Sequence, residues 1–157
     1  MAIALFLKVD GVTGESLNTT HPDTTELQGV SWGASTPVSA DSGGGLSAGE
    51  VSYQELTCSG TMDKAWPTLL DKMNTGAHLD KIEVFGTKMG GTQMDYFVVT
   101  LSQVMVSSLQ VSAGSGSELT VAYSFSCAKM KIEYTVQTSK GGKGASIPVE
   151  FDLKANK

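Results

Sequence analysis

Residues 119–136 read LTVAYSFSCAKMKIEYTV, and the spacing within them changes halfway. Leu119, Val121, Tyr123, Phe125 and Cys127 are apolar at odd positions; Met130, Ile132, Tyr134 and Val136 are apolar at even ones. A period of two is the signature of a strand with one buried face. A slip of one residue sends every later side chain to the other face. The pattern therefore predicts a long strand with a bulge near Ala128, bent around a barrel corner or passing between sheets.

The flanking sequence keeps the same rhythm. Ile3, Leu5, Leu7 and Val9 alternate ahead of Asp10-Gly11 and Gly14, a strand followed by turn residues. Further strands are expected over 26–35, 51–59, 81–88, 93–106 and 147–153. Met89-Gly90-Gly91-Thr92 marks a hairpin between the fourth and fifth runs of the chain. Residues 113–117 turn it into the long strand, and Lys140 to Gly144 form a flexible Gly/Lys loop. A single segment follows a different period. Trp66, Leu69, Leu70 and Met73 fall on one helical face, with Asp63 at the start, Pro67 in the first turn and Gly76 as the stop. The expectation is one domain over 1–157, all-β with one α-helix at about 63–75: two antiparallel sheets forming a compact β-barrel or sandwich.

Two features stand outside a plain barrel. Residues 36–50 form a Gly/Ser-rich loop of a length that is uncommon in a compact domain and usually functional or disordered. The run Tyr96-Phe97-Val98-Val99 is apolar on both pleat faces, so one face can fill the core and the other calls for a cover, such as another subunit.

The composition narrows the partners. The chain of 157 residues carries a formal charge of -5, and its 11 basic residues are all lysine. Without arginine or a basic balance, the bidentate and counterion-release terms of nucleic-acid binding are missing. No apolar run is long enough for a spanning helix, and the N-terminus reads as a first strand rather than a general export signal. Cys58 and Cys127 fit two small buried thiols better than a metal or redox pair.

Tests for chemistry return little. Gly29-Val30-Ser31-Trp32-Gly33 spells the G-x-S-x-G of a serine-hydrolase elbow, which needs a helix directly after the serine. Pro37 and Gly43-Gly44-Gly45 oppose one there. Chain order would leave His78 as the base, with Asp41, Asp63 or Asp71 as the acid, and nothing in the sequence brings them together. The carboxylates show no calcium-loop spacing, and Lys140 to Gly144 lacks the spacing of a phosphate loop. No catalytic residue, cofactor or metal is expected.

The order of short pieces along the chain does carry a likeness. Phe6-Leu7-Lys8, Val12-Thr13-Gly14-Glu15-Ser16, His21 and Ser31-Trp32-Gly33 precede the Gly-rich loop. Asp63-Lys64, Pro67-Thr68-Leu69, Tyr96 to Leu101 and Val104-Met105-Val106-Ser107-Ser108 follow, then Phe125, Ala128 and Tyr134. In this order the chain resembles the Hcp (haemolysin-coregulated protein) family, the inner-tube subunits of bacterial type VI secretion systems.

The resemblance implies a tail-tube-like barrel with one flanking helix. Six copies would close into a ring, and rings would stack into a tube driven by a contractile sheath. Partners implied are the chain itself, sheath, spike and baseplate proteins, and small secreted effectors carried in the lumen; nucleic acid and membrane insertion are not implied. The protein would reside in the bacterial cytoplasm during assembly and leave without a signal peptide or an appended domain. Ser31 becomes a lumen or cargo contact, Tyr96, Phe97, Val98 and Val99 a subunit interface, and Asp41, Ser42, Gly43, Gly44, Gly45 and Leu46 a ring-stacking loop. A contractile-phage tail-tube protein is the alternative of the same physics; a serine hydrolase using Ser31 and a carbohydrate-binding sandwich are alternatives of other classes.

Overall fold

In the computed structural model, which describes residues 2–40 and 43–154, the alternating runs become one sheet that closes on itself. Its strands are β1 (Ile3–Val9), β2 (Thr25–Ser31), β7 (Leu56–Thr61), β8 (Leu79–Lys88), β9 (Met94–Ser112), β10 (Thr120–Gln137) and β11 (Lys143–Asp152). They lie in the order β11-β10-β7-β2-β1-β8-β9, and β9 pairs with β10 to complete the circuit. All neighbours are antiparallel. Closure removes the free edges of the barrel strands, and leaves β11 outside as an appended edge strand.

Register explains the core. Leu7 stands opposite Val84, Val84 opposite Val99 and Val99 opposite Ile132, so one inward row crosses four strands. Tyr123, Phe125, Leu56, Leu101, Val104 and Val121 fill the remainder and are almost wholly buried. Helix α1 (Ala65–Thr75) packs against β9, with Leu69 and Ala65 buried and Trp66 and Met73 at the margin of the core. It starts two residues later than expected. Asp63 lies before it and accepts a hydrogen bond from the Ala65 N–H at 3.0 Å. Gly76 ends it at φ 66°, a left-handed turn that glycine adopts without a Cβ penalty.

The phase change of β10 is present, but its cause lies in the neighbouring strand. Phe125 is buried on one phase, Ala128 and Met130 on the other. Cys127 still pairs with Val104 and Lys129 with Ser102, so β10 inserts no residue there. Opposite Ala128 sits Gln103 of β9, at φ 54°, a left-handed conformation rare outside glycine. β9 switches faces at the same level, from Leu101 inward to Val104 and Val106 inward. Because both strands turn over together, the ladder stays in register. Here β10 also changes its second neighbour, from β7 up to Phe125 to β11 from Lys129. The register shift itself falls between Ser124 and Phe125.

The expected loop over 36–50 is largely a ribbon. β3 (Ala34–Ser35) pairs with β6 (Ser52–Tyr53), and β4 (Val38–Ala40) with β5 (Leu46–Ala48). β2 and β7 thus continue outward as one long hairpin arm. Period-two alternation could not reveal it, because small polar residues on both faces leave no apolar pattern to read.

The outer surface over β1 and β8 is roofed by the chain itself. Residues 14–16 hydrogen-bond back to Asp23 and Thr24, closing a hairpin across the sheet. A Cβ at Gly14 would collide with the Thr24 carbonyl, so glycine is required where the two legs meet. Under this roof lie Phe6, 2 % exposed, and Phe85, with the His21 ring stacked on Phe85 at 4.3 Å and tilted against Phe6 at 5.1 Å.

Candidate assembly surfaces

Ser31 ends β2, exposed, with Thr57 of β7 as its neighbour. The chain continues into Trp32, Gly33 and the strand β3, so the helix that a nucleophile elbow requires does not follow. His21 is engaged elsewhere: its Nε2 lies 2.6 Å from Asp95 Oδ1, which also accepts from the Thr87 hydroxyl at 2.6 Å. His78 is exposed beyond α1. Trp32 turns inward as the alternation requires; it stacks with Tyr53 of β6, which stacks in turn with Phe151 of β11, and lies tilted against Phe151. That cluster fastens the root of the arm to the last strand.

Around Ser31 stand the small hydroxylated side chains of Thr57 and Ser59 on β7, Ser124 and Ser126 on β10, and Ser108 and Ser112 on β9, with Gln110 and Met105 among them. Glu55 sits among them and accepts from the Ser107 hydroxyl at 2.8 Å and the Ser126 hydroxyl at 2.6 Å, tying β9 to β10.

The doubly apolar run is divided by the fold. Val99 is 3 % exposed inside the barrel and Phe97 packs against the same core. Tyr96 is the additional residue of a bulge, since Gly86 pairs with Phe97 while Thr87 pairs with Asp95. A Cβ at Gly86 would press within 3.3 Å of Phe97 and 3.5 Å of the Tyr96 ring. Val98 alone of the four faces outward in the ladder, opposite Phe85 and Glu133, half-buried. The roof hairpin reaches the start of this strand, through Thr20 on Gln93 and His21 on Asp95.

Of the expected stacking loop, Asp41 and Ser42 lie outside the described residues. Gly43, Gly44 and Gly45 form the exposed turn, and Leu46 opens β5 at 78 % exposure. Val38 across the ribbon is exposed too.

A surface that the sequence reading passed over lies on β10 and β11 beyond the closed barrel. Tyr134 pairs with Ile147 and Ile132 with Val149. Ile132 still reaches the core, but Tyr134, Ile147 and Val149 are 45 %, 57 % and 56 % exposed, with Val136 beside them. The signal was available: Met130, Ile132, Tyr134 and Val136 share one phase, and Ile147, Val149 and Phe151 another. The strip continues the inward phase past the point where there is an inside.

Among the described residues no group of three or more His, Cys, Asp and Glu side chains is placed to hold a metal ion. Among the same residues no helix is long and apolar enough to cross a membrane. Both cysteines are free thiols. Burial pushes Cys58 up to about 12 and Cys127 up to about 11, so neither is an activated nucleophile. Tyr123 is also raised, by burial first and then by Asp63 and Cys58.

Comparison with known proteins follows the same direction. The family model described as "Type VI secretion system effector, Hcp" matches residues 6–134. Protein hcp1 of Pseudomonas aeruginosa is 33 % identical over 160 residues, covering 99 % of this chain and 98 % of that relative. A solved structure of a type six secretion system protein superposes with a TM-score of 0.93 at 28 % identity, over 99 % of both chains. Hcp1 from Salmonella typhimurium gives 0.82 at 27 % identity, over 100 % of this chain and 99 % of its own.

Proposed function

Given that the chain belongs to the Hcp family of type VI secretion proteins, we propose that it is a tube subunit whose six copies close into a ring and whose rings stack around a lumen. The observation that carries this reading is the uncovered strip Tyr134, Ile147 and Val149 on a sheet extension with an open edge. An apolar sheet face needs a second layer, and a contiguous exposed patch marks an interaction surface. A contact between two different surfaces of identical copies closes a ring when its rotation divides the circle. Val98, with Tyr96 and Phe97 behind it, belongs to the same lateral contact. The arm over 34–53 reaches the adjacent ring, with Gly43, Gly44, Gly45 and Leu46 at its tip.

The hydroxylated surface around Ser31 forms the lumen wall. Small polar side chains let cargo pass because they offer no large apolar patch to hold it. Small effectors ride inside, sheath, spike and baseplate proteins engage the outside and the ends, and the subunit leaves the cell with its own machine. The chain performs no bond-breaking in this role.

Negative-stain imaging and sedimentation of the purified chain test the reading. Rings with a central hole and a hexameric mass are expected. Ile147→Glu with Val149→Glu, and separately Val98→Glu, should give folded monomers, because burying an unpaired charge at a contact is costly. A monomer in the unmutated protein at every concentration and salt would overturn the ring; full-sized rings from both variants would move the lateral contact elsewhere.

A further inference from the structure

The turn that joins β10 to β11 is braced from within. The Gly141 N–H donates to the Thr138 carbonyl at 2.9 Å and the Thr138 N–H to the Gly142 carbonyl at 2.8 Å. The Gly142 N–H donates to the Thr138 hydroxyl at 3.0 Å, and Gln137 Nε2 to the Gly141 carbonyl at 3.2 Å. Gly141 takes φ 82°, which glycine adopts without a Cβ penalty. This turn carries Lys140 and Lys143 on the border of a cleft of about 510 Å³, whose lining also includes Thr92, Gln93, Met94 and Asp95.

A third lysine is held against the same place. Lys88 stands opposite Met94 in the β8–β9 ladder, and Gln137 opposite Lys143 in the β10–β11 ladder. Lys88 Nζ donates to Gln137 Oε1 at 3.1 Å and lies 5.0 Å from the centre of the Tyr96 ring, so its ammonium is fixed beside the cleft. The one carboxylate in the lining is already engaged: Asp95 Oδ1 lies 2.6 Å from His21 Nε2 and accepts from the Thr87 hydroxyl at 2.6 Å. Ion pairs among the described residues join His21 to Asp95, Lys81 to Glu83 and Lys131 to Glu133, and none involves Lys88, Lys140 or Lys143. Gln93 Oε1 accepts from the Thr20 hydroxyl at 2.8 Å, which orients the side-chain amide and leaves its N–H groups as donors.

We infer that this cleft binds a phosphate-bearing ligand, its oxygens held by Lys140, Lys143 and Lys88 and met by the donors of Thr92 and Gln93. Hydrogen bonds from ammonium to phosphate are charge-assisted and about twice as strong as neutral ones. A lysine acts as a point charge without the fork of arginine, so several must converge to grip one anion. Three ammonium groups suit a group with two or more negative charges better than a single carboxylate. The turn does not act as a phosphate loop, because its Gly141 and Gly142 N–H groups are spent inside it; the side chains it positions do the binding. Bracing the turn and fixing Lys88 before the ligand arrives lowers the entropy cost of association. The inference does not depend on the tube reading.

The test uses the full chain at about 10 mM ionic strength, where the screening length is about 30 Å. Inorganic pyrophosphate, followed by calorimetric titration, probes a free ligand. Vesicles of phosphatidylglycerol with phosphatidylcholine, against phosphatidylcholine alone, probe a lipid headgroup by co-sedimentation. Saturable binding of at least one of the two is expected, with a matching rise in melting temperature for pyrophosphate. Lys140→Gln with Lys143→Gln, and separately Lys88→Gln, should weaken it about tenfold or more without lowering the melt of the unliganded chain. Lys64→Gln, at the start of α1 and away from the cleft, should leave it within about twofold. Absence of binding to both probes, full affinity in the double variant, or an equal loss from Lys64→Gln would each overturn the inference.

Discussion

Two outer faces of the same barrel are built to opposite rules. Over β1 and β8 the outward residues include Phe6 and Phe85, and the hairpin bearing His21 lies across them. Over β7, β9 and β10 the outward residues include Thr57, Ser59, Ser108 and Ser124, with Met105 opposite Ser126 as a large, exposed member. The aromatic pair lies where the polypeptide covers itself, and the small hydroxyls cluster on the other face. The β10–β11 extension departs from both: Tyr134, Ile147 and Val149 are large and exposed although they continue the inward phase. That departure is why the proposed lateral contact is placed there.

The sharpest way to break this comparison is to empty the roofed face. Phe6→Ala should lower folding stability by about 3–5 kcal/mol, the range for deleting a buried phenylalanine, read from a urea or thermal melt. A loss under about 1 kcal/mol would mean that the roof packs loosely. Next comes the bare strip. Ile147→Glu with Val149→Glu should abolish assembly while leaving the melt of the monomer within about 1 kcal/mol, because exposed sites outside the core tolerate substitution.

Two smaller effects refine the buried side. Burial pushes the Cys58 thiol up to about 12 in the folded chain, from 9.0 for an unburied thiol. Between those values the unfolded chain loses a proton that the native chain keeps, so stability falls as pH rises from about 9 towards 12, and is unaffected by this group below that window. The slope approaches about 1.4 kcal/mol per pH unit at most, and Cys58→Ala should flatten it; an unchanged slope would show that other groups govern alkaline unfolding. Thr87→Val should cost about 1 kcal/mol by removing one of the two donors to Asp95. Smallest of all, Ser124→Ala on the bare hydroxyl face should change stability by no more than about 0.5 kcal/mol. A larger loss there would show that the hydroxyl face is structural rather than open.

Strands whose neighbours are near in register were legible because one buried face leaves a period of two. The helix was legible from Trp66, Leu69, Leu70 and Met73, although Leu70 stays at the margin while Ala65 takes a buried position. The turn at Ala128 was detected in β10 but originates in Gln103, whose left-handed backbone has no composition signal. The arm was hidden because its residues are exposed on both faces. Tyr96 to Val99 divides between core and outer face, and no sequence pattern tells whether residues of the same chain or a second copy lie over Val98. Ile147 and Val149 were read as ordinary strand residues because alternation reports a face, not what lies under it.

The cluster of Trp32, Tyr53 and Phe151 has a mechanical consequence. The arm leaves the barrel as a continuation of β2 and β7, and at its root these three rings lock it to the strand that ends the sheet. Such a projection cannot swing like a hinge; a push at its far end travels as a lever stroke into β11 and the bare strip beside it.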